Sequence, residues 1–105
     1  MVEPAESAVL SGGVAGTHHI EGGGIGSWPP LLRREDFDEV IAVSDADAFA
    51  MARRAAQAEG IFSGPSTGAN LVAALQLADH RRAGGRVVTV QVDSGIKYLN
   101  GPLYR

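Results

Sequence analysis

Three short stretches of this chain carry residue types that do chemistry as well as packing. "GGGIG", Gly22 to Gly26, puts four glycines in five residues, after His18-His19 and before Trp28-Pro29-Pro30. Glycine loses more backbone entropy on folding than any other residue, so the cluster marks positive φ angles or a backbone that something approaches closely. A flexible linker is the alternative, although Trp28 and the double proline read as an ordered surface. "SGPSTGAN", Ser63 to Asn70, places small hydroxyl residues and glycine at the start of a periodic apolar segment. Backbone N–H groups and the helix dipole converge at such a start and favour an anion, while simple helix capping explains the same residues. "VDSGIKYL", Val92 to Leu99, sets Asp93 and Ser94 at the end of a β-branched run. Ligands bind outside the carboxyl ends of strands in open parallel sheets. Neighbours in an extended segment point opposite ways, so one of the two faces the ligand. An ordinary Asp-Ser-Gly turn is the other reading.

Several chemistries drop out. A dinucleotide fingerprint must follow a strand and open a helix, yet Trp28-Pro29-Pro30 prevents a helix from beginning after the glycines. His18 and His19 are adjacent and lack a third ligand at metal spacing, so no metal site is expected. No Ser-His-Asp or phosphate-loop pattern is present.

The elements that must position these stretches are regular. Val40–Val43 reads as a short strand, followed by a helix with Ser44 as N-cap, Asp47 completing a capping-box pattern and Gly60 at the C-cap. Ala48, Met51, Ala52 and Ala55 recur on one face of it. A second helix is capped by Ser66 or Thr67, presents Leu71, Leu75 and Ala78 as its apolar face, and stops at Gly84-Gly85. Arg86–Val92, "RVVTVQV", reads as a strand suited to burial on both faces. A short helix is expected around Ser7–Leu10. The order is α/β with a parallel sheet, and two strands are too few to complete one.

The 105 residues allow one small domain, with 45% hydrophobic and 20% charged residues. A net charge of -3, with no basic cluster larger than Arg81-Arg82 or Arg33-Arg34, argues against nucleic acid as a partner. The absence of cysteine excludes disulfides and thiolate metal sites. No apolar run reaches the roughly 20 residues that span a bilayer, and "MVEPAESAVL" lacks a signal-peptide layout, so a cytoplasmic location is expected. Lys97 is the only lysine.

In order, "VEPAESAVLSGG", "GTHHIEGGGIGSWPP", "DEVIAVSDADAFAMARRAAQAEGIFSGPSTGAN" and "VVTVQVDSGIKYL" strongly resemble the C-terminal part of the cysteine synthase and cystathionine β-synthase family. The likeness covers essentially all of residues 1–105. It implies a parallel-sheet fragment of the tryptophan-synthase-β-like fold, fold type II of the pyridoxal-phosphate enzymes, with pyridoxal 5'-phosphate as cofactor. It implies that Gly22, Gly24 and Gly26 form the loop beside the active-site mouth, and that Ser66 and Gly68 lie near the cofactor ring. Ser94 is implied to hydrogen-bond the pyridine nitrogen. A neutral hydroxyl there makes the ring a weaker electron sink than a carboxylate would, which suits β-replacement over transamination. The implied reaction replaces the β-substituent of a serine-type amino acid with a sulfur nucleophile, in an enzyme that is a homodimer when complete.

The chain departs from the family's pattern in two ways. Asp93 stands before Ser94 where cysteine synthases usually place proline, and Gly95-Ile96-Lys97 follows it, closer to the cystathionine β-synthase branch. The family's Schiff-base lysine, substrate loop and phosphate loop match nothing here, and Lys97 does not match the catalytic position. The expectation is a C-terminal portion without a catalytic residue of its own. A non-catalytic remnant, an interaction module and one half of a split enzyme are the alternatives.

Overall fold

The computed structural model describes residues 1–80 and 84–105. Two strands, β1 (Val2–Pro4) and β2 (Ile41–Val43), pair in parallel, with Val2 opposite Ile41 and Pro4 opposite Val43. Helix α1 (Asp45–Glu59) leaves β2 directly, and α2 (Pro65–His80) packs against both α1 and the strands. The long excursion from β1 to β2 carries the glycine loop.

Helix α1 forms as its sequence dictates. The Ser44 hydroxyl accepts from the Asp47 N–H at 3.1 Å and donates to the Asp47 carboxylate at 2.7 Å. Asp47 thus answers the hydroxyl of Ser44, where a full capping box would have it take the Ser44 backbone N–H. Gly60 ends the helix at φ 70°, the left-handed position that favours glycine.

Four expectations need correction. Helix α2 begins one residue before Ser66, with Pro65 in its first turn, where a fixed φ and a missing N–H are both tolerated. Ser66 and Thr67 therefore sit inside the helix and do not cap it. The Thr67 hydroxyl instead accepts the Val92 N–H at 3.0 Å. The face that α2 buries is Thr67, Gly68, Ala69 and Ala73, while Leu75 is 54% exposed. Small residues win that face because they let α1 approach closely. Residues 86–92 run outside any strand, because a strand needs a hydrogen-bonded neighbour and no strand of the described residues flanks this run. Near Ser7 the chain forms a 3-10 turn, Ala5–Ser7, and no longer helix. The buried Glu3 carboxylate takes the Leu10 and Ser11 N–H groups at 2.8 and 3.0 Å and bends the chain there. Arg81 and Arg82 lie outside the described residues, as does whatever links His80 to Gly84.

The core has two small parts. Ile20, Val43, Ala48, Ala69 and Ala73 close the sheet against the helices. Ala52, Tyr98 and Leu103 seat the last segment on α1, where Arg53 donates to the carbonyls of Leu103 and Pro102 at 2.6 and 3.0 Å.

Val88 is 81% exposed, and Val90 and Val92 are also open. A chain of this size buries well under three quarters of its unfolded surface, and an open apolar β-branched run invites pairing with another chain. The purified chain is therefore expected to self-associate at micromolar concentrations. Val88→Lys is expected to shift its sedimentation profile toward monomer, and a clean wild-type monomer with cooperative unfolding would contradict this expectation.

Candidate functional site

The glycine loop is built on a buried anchor. Ile20 is fully packed, and its carbonyl accepts the Gly23 N–H at 3.0 Å. Gly22, Gly24 and Gly26 then adopt φ values of 77°, 66° and 75°. L side chains rarely adopt this region, which gives the alternate glycines their reason. A Cβ on Gly24 would also press on the Pro4 ring at 3.1 Å. His18 Nε2 bonds the Gly24 carbonyl at 2.9 Å, and Trp28 closes the far end by donating to the Leu32 carbonyl at 2.6 Å. The loop is thus an ordered backbone surface and not a free linker.

This surface walls two clefts. One, of about 170 Å³, lies between Pro4, Glu21, Gly22 and the start of α2 at Ser66 and Asn70. The other, of about 180 Å³, runs along Gly22, Gly24 and Gly26 to Leu10. The Ser66 hydroxyl is shielded from solvent with no hydrogen-bond partner among the described residues, as is that of Ser63, which is 0% exposed. Orphaned hydroxyls are unusual in a folded protein, and both stand at the mouth of α2. Gly68 faces the other way. A Cβ there would overlap the Ala48 carbonyl, so the visible duty of Gly68 is to let α1 and α2 touch.

Ser94 lines neither cleft, but it is joined to the same end of α2. Ser63 and Ser94 form an antiparallel bridge, and the Gly95 N–H donates to the Phe62 carbonyl at 3.1 Å. Ser94 is exposed. Its hydroxyl accepts the Ile96 N–H at 3.3 Å, opening a 3-10 turn, Gly95–Tyr98, and keeps its own proton to donate. Asp93 points inward, accepting from the Gly64 N–H at 3.1 Å and the Tyr98 hydroxyl at 2.6 Å.

Lys97 is engaged. Its ammonium pairs with the Glu21 carboxylate at 2.5 Å, tying the base of the glycine loop to the Ser94 segment. The hydrogen bond to Glu21, and then its charge, raise the Lys97 pKa above the ordinary lysine value. The pair's contribution is present below the ordinary lysine pKa and fades as pH rises through the raised one. Sequence reading missed this pair, and it missed the Asp93–Tyr98 hydrogen bond. Glu21 and Lys97 are far apart in the chain, and no periodicity links them. Among the described residues, no group of three histidine, aspartate or glutamate side chains is placed to hold a metal ion, and no helix is long and apolar enough to cross a membrane.

Residues 1–93 match a family described as pyridoxal-phosphate dependent enzyme. A probable cysteine synthase of Bacillus subtilis is 43% identical over 104 residues, covering 99% of this chain and 33% of that protein. A cysteine synthase of Staphylococcus aureus is 45% identical over 103 residues, covering 98% and 33%. The chain thus spans about a third of the length of the curated relatives it matches. Among solved structures, an O-acetylserine sulfhydrylase isoform from Entamoeba histolytica superposes with a TM-score of 0.95 at 40% identity, over 98% of this chain and 31% of that one. An O-acetylserine-dependent cystathionine β-synthase from Helicobacter pylori gives 0.91 at 38%, over 99% and 34%. These structures carry the fold type expected from the sequence. Matched by the family over residues 1–93 and by its relatives over nearly its whole length, the chain belongs to the pyridoxal-phosphate-dependent enzymes.

Proposed function

We propose that residues 1–105 are the C-terminal portion of a β-replacement enzyme that joins serine or O-acetylserine to a sulfur nucleophile in cysteine biosynthesis. The complete enzyme is read as a cytoplasmic homodimer whose substrates are small amino acids. The observation that carries this reading is the Ser94 turn: the hydroxyl faces outward with a proton to donate, while Asp93 is drawn inward and kept from the same position. The names of the relatives, cysteine synthase and O-acetylserine-dependent cystathionine β-synthase, support the substrate class.

The residues present fit part of a pyridoxal-phosphate site. Ser94 offers a neutral donor to a pyridine nitrogen, the shielded Ser66 hydroxyl stands at the start of α2 on the first cleft, and the glycine loop offers bare backbone to an approaching substrate. When bound, the cofactor supplies the electron sink for removal of the α-proton and loss of the β-substituent. Ser94 would hold a neutral hydroxyl donor toward a bound ring, where a carboxylate would instead favour a protonated nitrogen. Gly22, Gly24 and Gly26 admit the substrate closely. No residue of this chain is assigned the proton transfer itself, and the isolated chain is proposed to be inactive.

A second reading is one half of a split enzyme or a non-catalytic remnant; the chain spans about a third of the length of the relatives it matches. The DNA upstream of Met1 separates the readings. An in-frame lysine-containing segment supports a single longer enzyme, a separate neighbouring gene supports a split one, and a stop or frameshift supports a remnant. In the assembled enzyme, Ser94→Ala is expected to keep the fold and lower turnover by about 10²-fold, as removal of one preorganised donor does. Steady-state kinetics with O-acetylserine and sulfide reads this. An Asp93→Ala enzyme more damaged than Ser94→Ala would reverse the assignment.

A further inference from the structure

We propose that Asp93 and Tyr98 are positioning residues, a half-buried clamp that aims the Ser94 hydroxyl. The inference rests on the reading of Ser94 given above. Asp93 and Ser94 are neighbours in an extended segment, so fixing one inward sends the other outward. Both oxygens of the Asp93 carboxylate are committed, one to the Gly64 N–H at 3.1 Å and the other to the Tyr98 hydroxyl at 2.6 Å. Tyr98 is 8% exposed and is held between Ala52 and Leu103. The clamp therefore reaches from the Ser94 turn to the body of α1.

Two glycines are shaped around this clamp. A Cβ on Gly64 would overlap the Tyr98 ring and the Asp93 carboxylate, and a Cβ on Gly95 would meet the Phe62 ring. Neither glycine has a positive φ, so close approach is what their places require. The Ser63–Ser94 bridge and the Gly95–Phe62 hydrogen bond hold the turn from its other side. Burial, and next the hydrogen bond to Asp93, push the Tyr98 phenol well above its ordinary pKa. Its proton therefore stays in place as a donor across the working pH range. Asp93 also lies against the Gly64 N–H at the start of α2, where a negative charge is favoured by the helix dipole.

The test uses the assembled holoenzyme, this chain together with the polypeptide that completes the fold, loaded with pyridoxal phosphate labelled with 15N in the ring. Tyr98→Phe and Asp93→Asn are compared with Ser94→Ala and with Tyr104→Phe. Tyr104 is the control because its hydroxyl donates to the Ser63 carbonyl at 2.6 Å and supports the same segment without touching Asp93. The expected result is full cofactor content, a ring-nitrogen resonance moved toward that of Ser94→Ala, and kcat lowered about tenfold with KM little changed, as a small misplacement of a catalytic donor produces. Tyr104→Phe is expected to lower the melting temperature and leave the resonance unmoved. If Ser94→Ala moves the resonance while Tyr98→Phe and Asp93→Asn do not, the clamp is overturned and the Ser94 reading stands. If Ser94→Ala itself leaves it unmoved, the Ser94 reading fails first. Where a variant does not assemble, amide exchange at Gly95 in this chain decides. Faster exchange in Tyr98→Phe supports the clamp, and unchanged exchange overturns it.

Discussion

Gly68→Ala is expected to destabilise this chain, and Gly68→Val to destabilise it further. The sign is informative because helix propensity argues the other way. Within a helix interior, alanine is favoured over glycine by about 1 kcal/mol. At Gly68, however, a Cβ would overlap the Ala48 carbonyl and come within 3.1 Å of the Ala52 Cβ. The nearest obstacle is backbone, which cannot swing aside as the end of a long side chain can. To admit the methyl group, α1 and α2 must separate, loosening the packing of Ala48, Ala52, Ala69 and Ala73. Overpacking of this kind costs about 1–3 kcal/mol, against a total of about 5–15 kcal/mol for a typical domain. Urea unfolding followed by circular dichroism reads the outcome. A midpoint for Gly68→Ala at or above wild type would show that the helices are free to separate and that the close approach is not needed.

The second large effect is an absence of activity. Mixed with pyridoxal phosphate and O-acetylserine, the isolated chain is expected to form no stable covalent adduct at Lys97 and no cysteine from added sulfide. An amine attacks the cofactor's aldehyde only when deprotonated, and an ordinary lysine is mostly charged at neutral pH, with a pKa of about 10.4. Glu21 moves Lys97 further in that direction. The pairing also holds the amine at the base of the glycine loop. Borohydride reduction of the mixture, followed by peptide mapping, locates any lysine that has reacted. Stoichiometric labelling at Lys97 together with cysteine formation would overturn the assignment of the chain as a portion without its own catalytic amine. Glu21→Gln is expected to increase weak labelling while leaving turnover absent.

How much of this was legible in the sequence depended on how local each determinant is. Ser44, Asp47 and Gly60 act within a few residues of themselves, and the ends of α1 followed from them. The positive φ angles of Gly22, Gly24 and Gly26 were equally legible, because only glycine occupies that region readily. The buried face of α2 was not legible. The helix is apolar on more than one side, and the choice between Leu75 and Ala73 was made by how closely α1 lies against Gly68. Val87–Val92 has the composition of a strand, but composition cannot supply the neighbour that makes one. The links that organise the candidate site, Glu21 to Lys97 and Ser63 to Ser94, join residues that only the folded chain brings together. The hydrogen bond from Tyr98 to Asp93 is closer in sequence, yet nothing in the "DSGIKY" run distinguished it from a solvent-exposed turn.

The parallel pairing of β1 with β2 has a consequence for the order of folding. Val2 meets Ile41 only after the whole glycine-bearing excursion has been closed into a loop, and closure entropy must be met before the strand contacts repay it. Helices α1 and α2 are joined by a short link and touch through residues near one another in sequence. On these grounds the helical hairpin is expected to form early and the sheet late, leaving the glycine loop the last segment to order. Stopped-flow refolding would read this: Ala52→Gly is expected to slow folding, whereas Val43→Ala mainly speeds unfolding. The opposite partition would place the sheet in the nucleus. A loop that orders last is also the first to open in the native state, so the walls of both clefts would loosen while the helices remain intact.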